Sequence, residues 1–259
     1  MNLGGRTALV TGASGGLGHA IARALAARGA RVVLTARRVE VLEALAAETG
    51  GRVVPCDLTD RGAVERLAVE AGPVDVLVAN AGVSVAGRVE VSSVEDIDQV
   101  LDVNLRAPIV LARLMCEGMA ERGGGHIVFI NSLNGKVGTV RTSVYAATKF
   151  GLRGFAQSLR EDVRARGVGV SSIFPGFISD AGMHHDSGVK LPPYVGTKKP
   201  DDVARAVVRA IEHNRSEIDV APIGLRLGTA FASLAPEVAA TVQRKLGADK
   251  VASQYEDAG

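Results

Sequence analysis

Cysteine is nearly missing from this chain: Cys56 and Cys116 are its only two among 259 residues. They stand far apart and fit neither a metal-ligand spacing nor a disulfide framework, so no metal site is expected and both are read as buried free thiols. Excess charge is missing too. Lys and Arg number 30 against 28 Asp and Glu, a net charge of +2. That balance, with no basic stripe, leaves no electrostatic footprint for nucleic acid. No apolar run approaches the ~18 residues of a membrane span. The opening Met1-Asn2-Leu3-Gly4-Gly5-Arg6 passes straight into an apolar strand, without the basic and apolar regions of a signal peptide. A cytoplasmic protein with no membrane span is the expectation. No repeat, low-complexity tract or Pro/Gly/Ser-rich linker divides the sequence, so residues 1–259 are expected to form one domain.

What is present is a strong alternation. Hydrophobic residues make up 47% of the chain, ample for a folded core. Short β-branched runs at 7–10, 31–35, 52–55, 74–78, 126–131, 168–174 and 217–220 alternate with helical patterns at 16–28, 38–49, 60–71, 93–121, 143–166 and 200–213. Repeated strand–helix units of this kind build a parallel sheet, and strands apolar throughout are those covered on both faces. The expected class is α/β: a doubly wound (Rossmann) parallel seven-stranded sheet with helices on both faces. Two segments break the rhythm. Residues 177–199 form a long connection of little periodicity, expected to act as a lid over substrate and cofactor. Residues 222–247 carry an apolar stripe, Leu227, Phe231, Leu234, Val238, Val242 and Leu246, which Pro236 should divide into two helices.

The first strand runs into Thr11-Gly12-Ala13-Ser14-Gly15-Gly16-Leu17-Gly18 and then an Ala-rich helix. Glycines let a backbone turn tightly and approach a pyrophosphate, to which a helix N-terminus presents free N–H groups. The spacing differs from Gly-x-Gly-x-x-Gly, and tight strand-to-helix geometry is the plainer reading of a lone glycine turn. Its place at the first strand–helix junction favours nucleotide binding, and no Lys-Ser/Thr pair makes it a Walker A loop. The second strand ends on Thr35-Ala36-Arg37-Arg38, where NAD-binding proteins of this design carry an acid for the ribose 2′-hydroxyl. An acid would repel a 2′-phosphate, whereas a guanidinium can accept it bidentately. Arg37 therefore favours NADP(H), with NAD(H) as the alternative and a solvated surface cation as the bland reading.

Tyr145-Ala146-Ala147-Thr148-Lys149 places a phenol and an ammonium on one helix face. A free phenol titrates near 10, and a neighbouring ammonium favours its ionised form, which makes a tunable acid/base. Alone, such a pair is usually a helix-surface pair. Ser132 ends the preceding strand, at the edge where such sheets bind ligands, and its hydroxyl could hydrogen-bond a substrate oxygen.

Taken together, the glycine turn, Asp57, Asn80-Ala81-Gly82, Asn104, Ser132, Tyr145, Lys149 and Pro175-Gly176 resemble, in order and spacing, the short-chain dehydrogenase/reductase family, in its compact Tyr-x-x-x-Lys branch. The resemblance implies hydride transfer between a nicotinamide cofactor and a carbonyl or alcohol. Tyr145 would exchange the proton, Ser132 position the oxygen, Lys149 lower the Tyr145 pKa and hold the nicotinamide ribose, and Asn104 anchor a water leading from Lys149 to solvent. It also implies a cofactor-binding set of Gly12, Ser14, Gly15, Gly16, Leu17, Gly18, Arg37, Asp57, Leu58, Asn80, Ala81, Gly82, Tyr145, Lys149, Pro175, Gly176 and Ile178, with Asp57 and Leu58 beside the adenine. Turn or cap roles for Asp57, Asn80 and Asn104 are the alternative. Asp180 stands where the family has a Thr for the nicotinamide amide, so Ser179 or backbone groups are left that task. His184 and His185 are read as surface histidines of a mobile loop. A homotetramer or homodimer acting on a small, apolar carbonyl or alcohol is expected. The competing readings are a non-catalytic NADP-binding regulatory protein, an NAD-preferring alcohol dehydrogenase, and a sugar-nucleotide epimerase, for which the chain after Pro175 is short.

Overall fold

The computed structural model describes the chain except residues 86, 190, 192–194, 246–251 and 255–259, and the side chains of Met183, Asp186 and Gln243. Seven parallel strands form one sheet: β1 (Thr7–Thr11), β2 (Arg31–Thr35), β3 (Arg52–Val53), β4 (Val76–Ala79), β5 (Gly125–Ile130), β6 (Val168–Pro175) and β7 (Glu217–Val220), in the order β3-β2-β1-β4-β5-β6-β7. The expected doubly wound sheet is what the chain forms. Alternate residues of the apolar strands serve opposite cores. Ala8, Val10, Leu34, Val78 and Ile130 face one cluster, and Leu9, Val33, Leu77, Ile127 and Phe129 the other. Helices α1 (Gly16–Ala26), α2 (Val39–Thr49) and α8 (Pro200–His213) cover the first face. The second is covered by α3 (Arg61–Glu70), α5 (Ala107–Glu121) and α6 (Ser143–Arg164), with α4 (Val94–Leu101) leading into α5. Each fully buried Leu, Val or Phe contributes about 1.5–3 kcal/mol, so register is fixed from both sides.

Several boundaries move for local reasons. The strand expected at 52–55 pairs regularly only over Arg52–Val53. Pro55 has no amide to donate, which confines it to such an edge. The helical stretch 93–121 is interrupted by a π-helical turn at Asp102–Arg106. Pro108 lies in the first turn of α5 and has no N–H to give the carbonyl of residue 104, so the chain widens there. The connection 177–199 contains a short helix, α7 (Met183–Ser187), and its ends are tied together: Ser179 N donates to Lys198 O (2.9 Å) and Lys198 N to Phe177 O (3.0 Å). Pro236 divides the C-terminal stripe as expected, into α9 (Ile223–Leu234) and α10 (Pro236–Lys245), while Leu246 lies outside the described residues. Cys56 is buried, and burial first, then nearby Asp57, pushes its thiol up to about 11. Cys116 is only half-buried, because on α5 it borders the core beside buried Ala112, Met115 and Met119 rather than lying within it; the expectation of two buried thiols is corrected for it. Among the described residues, no helix is long and apolar enough to cross a membrane.

Candidate active site

The carboxyl ends of β1, β4, β5 and β6 converge on one edge, where the motif residues meet. The glycine turn leaves β1 and enters α1, whose N-cap is Gly15 and which no side chain caps. Its first-turn amides are therefore open to an anion. A Cβ on Gly12 would come 2.7 Å from Ala81 Cα, and one on Gly18 2.7 Å from Ala13 Cα while overlapping the Gly12 carbonyl oxygen. Gly12, at φ 63°, also needs the left-handed region. Asn80 holds this turn to β4: its Nδ2 donates to Thr11 O (2.9 Å) and Gly12 O (3.2 Å), and Thr11 Oγ1 accepts from both Asn80 N and Ala81 N at 3.0 Å. Asn80 Oδ1 is buried with no protein partner, an acceptor left for a ligand donor. From the far side, Ala181 packs so closely on Gly16 that a Cβ there would overlap it. The segment 177–199 thus reaches the turn at Ala181, while Ile178 is buried and Asp180 exposed at φ 64°. The Ser179 hydroxyl donates to Asp180 Oδ2 at 3.2 Å.

At the end of β2 the two arginines separate. Both are exposed, yet Arg38 Nη2 donates to Ser14 O at 2.7 Å and approaches Ser14 Oγ at 3.4 Å. Arg38, not the Arg37 singled out from the sequence, is the guanidinium brought onto the glycine turn. It is the N-cap residue of α2, and that corner aims it at Ser14, in the turn before α1; its place one residue before a helix start was the available signal. Asp57 Oδ1 accepts from Thr59 N (3.0 Å) and Thr59 Oγ1 (2.9 Å), so Asp57 closes its own turn beside buried Leu58.

Tyr145 and Lys149 lie on the inner face of α6, both buried. The phenol is hydrogen-bonded to Ser132, and burial drives its pKa up to about 12, with that bond pulling the other way. Lys149 Nζ donates to Ile130 O at 3.0 Å and is 5.5 Å from the Tyr145 ring centre; burial lowers its pKa to about 8. The expected lowering of the Tyr145 pKa by Lys149 is not what the site shows: burial raises the phenol, and the hydrogen bond that pulls it down comes from Ser132. Asn131 was missed from the sequence although it directly precedes Ser132. Its Oδ1 accepts from Ser132 N (2.9 Å) and its Nδ2 donates to Lys149 O (3.1 Å), locking the Ser132 loop to α6. Asn104 is wholly buried on the π turn, where it accepts from Val83 N (2.8 Å) and donates to Val83 O (2.7 Å). A Cβ on Gly82 would stand 3.5 Å from Asn104 Oδ1 and 3.7 Å from Lys149 Nζ, so glycine keeps that wall thin. Gly176 is anchored to β7 by its amide donating to Val220 O at 3.0 Å. His184 packs edge-on against Phe177, with ring centres 5.3 Å apart.

This arrangement combines a glycine turn at an uncapped helix N-terminus with a buried phenol hydrogen-bonded to a serine. The family profile described as short chain dehydrogenase matches residues 6–190. The chain belongs to the short-chain dehydrogenase family. Among its relatives, ketoacyl reductase HetN of Nostoc sp. is 39% identical over 227 residues, covering 84% of this chain and 79% of that protein. The 3-oxoacyl-[acyl-carrier-protein] reductase FabG of Rickettsia conorii is 36% identical over 220 residues, covering 80% and 89%. A short-chain dehydrogenase from Sphingobium yanoikuyae, solved in complex with NADPH, superposes with a TM-score of 0.76 at 27% identity, covering 83% of this chain and 87% of that one. As a short-chain dehydrogenase/reductase, the protein is an NAD(P)-dependent oxidoreductase.

Proposed function

We propose that the protein reduces a carbonyl to an alcohol with NADPH, Tyr145 serving as the acid. The observation that carries this is the Tyr145 phenol, buried, protonated at neutral pH and hydrogen-bonded to Ser132 beside Lys149. The residues present fit a dinucleotide: a turn so tight that a Cβ on Gly12, Gly16 or Gly18 would collide, an uncapped helix N-terminus, and an orphaned acceptor on Asn80. Gly12, Ser14 to Gly18, Asn80 to Gly82, Pro175, Gly176 and Ile178 would hold it, with Asp57 and Leu58 toward the adenine. When bound, the cofactor supplies the hydride. The protein's own task is to bind the substrate oxygen at the Ser132 and Tyr145 hydroxyls and to deliver the phenolic proton as negative charge grows there. Lys149 stabilises the phenolate left behind, and Asn104, holding Val83 beside it, keeps the route for the returning proton.

Arg37 and Arg38 are proposed to recognise the 2′-phosphate, Arg38 from its place over Ser14. A hydrogen bond to a charged group is worth about 1.5–3 kcal/mol, so Arg38→Ala should weaken NADPH binding roughly ten- to hundredfold. NADH binding should change little. Titration of both cofactors into wild type, Arg37→Ala and Arg38→Ala measures this; equal wild-type affinity for the two cofactors would sink the assignment.

The substrate is proposed to be an apolar carbonyl of the 3-oxoacyl thioester class. This is supported by the ketoacyl reductases among the relatives. A panel of 3-oxoacyl thioesters, simple ketones and alcohols, followed at the nicotinamide absorbance with both cofactors, is the direct test. The thioesters should show the highest kcat/KM. A panel with no turnover in either direction would reject the enzyme reading in favour of a cofactor-binding regulator.

A further inference from the structure

Behind the site, four charged side chains join the two segments that carry its chemistry. Lys136 lies four residues beyond Ser132 on the same loop. Its Nζ donates to Asp219 Oδ1 at 2.6 Å and pairs with Glu217 Oε2 at 3.0 Å. Arg153 lies two turns beyond Tyr145 on α6, and its Nε and Nη2 donate to Glu217 Oε1 (2.9 Å) and Oε2 (3.2 Å). Glu217 and Asp219 are two apart on β7 and so share one face of the strand. The buried Phe174 ring fills the space between the cations, 4.0 Å from Lys136 Nζ and 5.6 Å from Arg153 Cζ. The Ser132 loop and the Tyr145 helix are thereby fastened to one shared carboxylate, Glu217, and the loop is tied to Asp219 as well.

The network is largely withdrawn from water: side-chain exposure is 13% for Lys136, 22% for Glu217 and 21% for Asp219. Burial pushes the Glu217 carboxyl up, but the hydrogen bonds and charges of Arg153 and Lys136 outweigh it and hold the group below its usual range. Buried ion pairs are costly to desolvate and contribute little net stability compared with apolar packing, so their worth lies in fixing geometry. Here the geometry concerned is the approach of Ser132 to Tyr145. The adjoining contacts act on the same loop: Ser233 Oγ of α9 donates to Lys136 O at 3.2 Å, and Leu133 packs in one cluster with Phe174, Ala221 and Leu225.

We propose that Lys136 and Arg153 are positioning residues which, through Asp219 and Glu217, hold the Ser132 loop at its working distance from the helix bearing Tyr145. This deepens the proposed carbonyl reduction and rests on that reading of Ser132 and Tyr145. It predicts that Lys136→Met lowers kcat by about 10- to 100-fold, as a small misplacement at a reacting centre does. NADPH affinity should be unchanged, because the glycine turn is held by other contacts. Lys136→Arg, which keeps the cation, should recover most of the rate. A double variant, Lys136→Met with Asp219→Asn, leaves no carboxylate unpaired at position 219 and should match the single variant in rate while folding more stably.

A readout independent of turnover is the ring carbon bearing the hydroxyl in protein labelled at 13Cζ of tyrosine. With three tyrosines in the sequence, the Tyr145 resonance is assigned by its loss in Tyr145→Phe. It should shift in both Met variants and return in Lys136→Arg. An unshifted Tyr145 resonance, a fall in kcat matched by an equal fall in NADPH affinity, or failure of both Met variants to fold would overturn the proposal. Full activity in Tyr145→Phe would instead overturn the catalytic reading, and the resonance would still decide whether Lys136 sets the position of Tyr145.

Discussion

Replacing Tyr145 with Phe is expected to lower kcat by about 10²- to 10⁴-fold, the usual worth of a positioned general acid. NADPH affinity should hardly change. The phenol is buried and hydrogen-bonded to Ser132, so the substitution removes one oxygen from a packed site and keeps the ring. The cofactor would be held by the glycine turn, the arginines at the end of β2 and Lys149, none of which needs that oxygen. Lys149→Ala should differ by damaging both quantities, since its ammonium faces the phenol from 5.5 Å and borders the thin wall at Gly82. Steady-state rates and cofactor titrations of the two variants separate these effects. A Tyr145→Phe protein that keeps most of the wild-type rate on any substrate would refute the acid assignment.

The second large effect is expected at Gly18. A methyl group there would overlap the Gly12 carbonyl oxygen and come 2.7 Å from Ala13 Cα. Both neighbours are backbone and cannot swing aside, so Gly18→Ala must open the turn. Overpacking of this kind costs about 1–3 kcal/mol, and the displaced turn should lose at least about tenfold in NADPH affinity along with thermal stability. Gly15→Ala is the contrasting case: the nearest atom to its added Cβ is Gly12 O at 3.6 Å, ordinary van der Waals distance. It should leave the turn in place and the melting temperature close to that of the wild type. Nucleotide affinity and melting temperature of the pair test the cradle, and wild-type binding by Gly18→Ala would count against it.

Several of these features were legible in the residues themselves. Seven strands and their helices were written as apolar runs and 3.6-residue stripes, because burial on both faces of a sheet leaves no room for polar alternation. The break at Pro236 followed from a ring that has no amide to give, and so did the shortening of β3 at Pro55 once its place on the sheet edge was known. Tyr145 and Lys149 could be put on one face from their spacing alone. Other features were hidden because they depend on direction in space. The sequence shows two arginines after β2 and cannot say that the turn into α2 aims Arg38, and not Arg37, at Ser14. Nor does it show that Cys116 only borders the core and stays half-buried.

By itself, then, the sequence determined the fold class, the family and the order of the motif residues, since these rest on local periodicity and spacing along the chain. The tertiary structure alone decided the electrostatics. Lys149 donates one of its N–H groups to the Ile130 carbonyl, and burial leaves Tyr145 a phenol. It also joined Lys136 to Asp219, 83 positions away. The physical reason is common to both: desolvation and charge pairing depend on what surrounds a group in three dimensions, and parallel crossovers bring together segments that the chain keeps far apart.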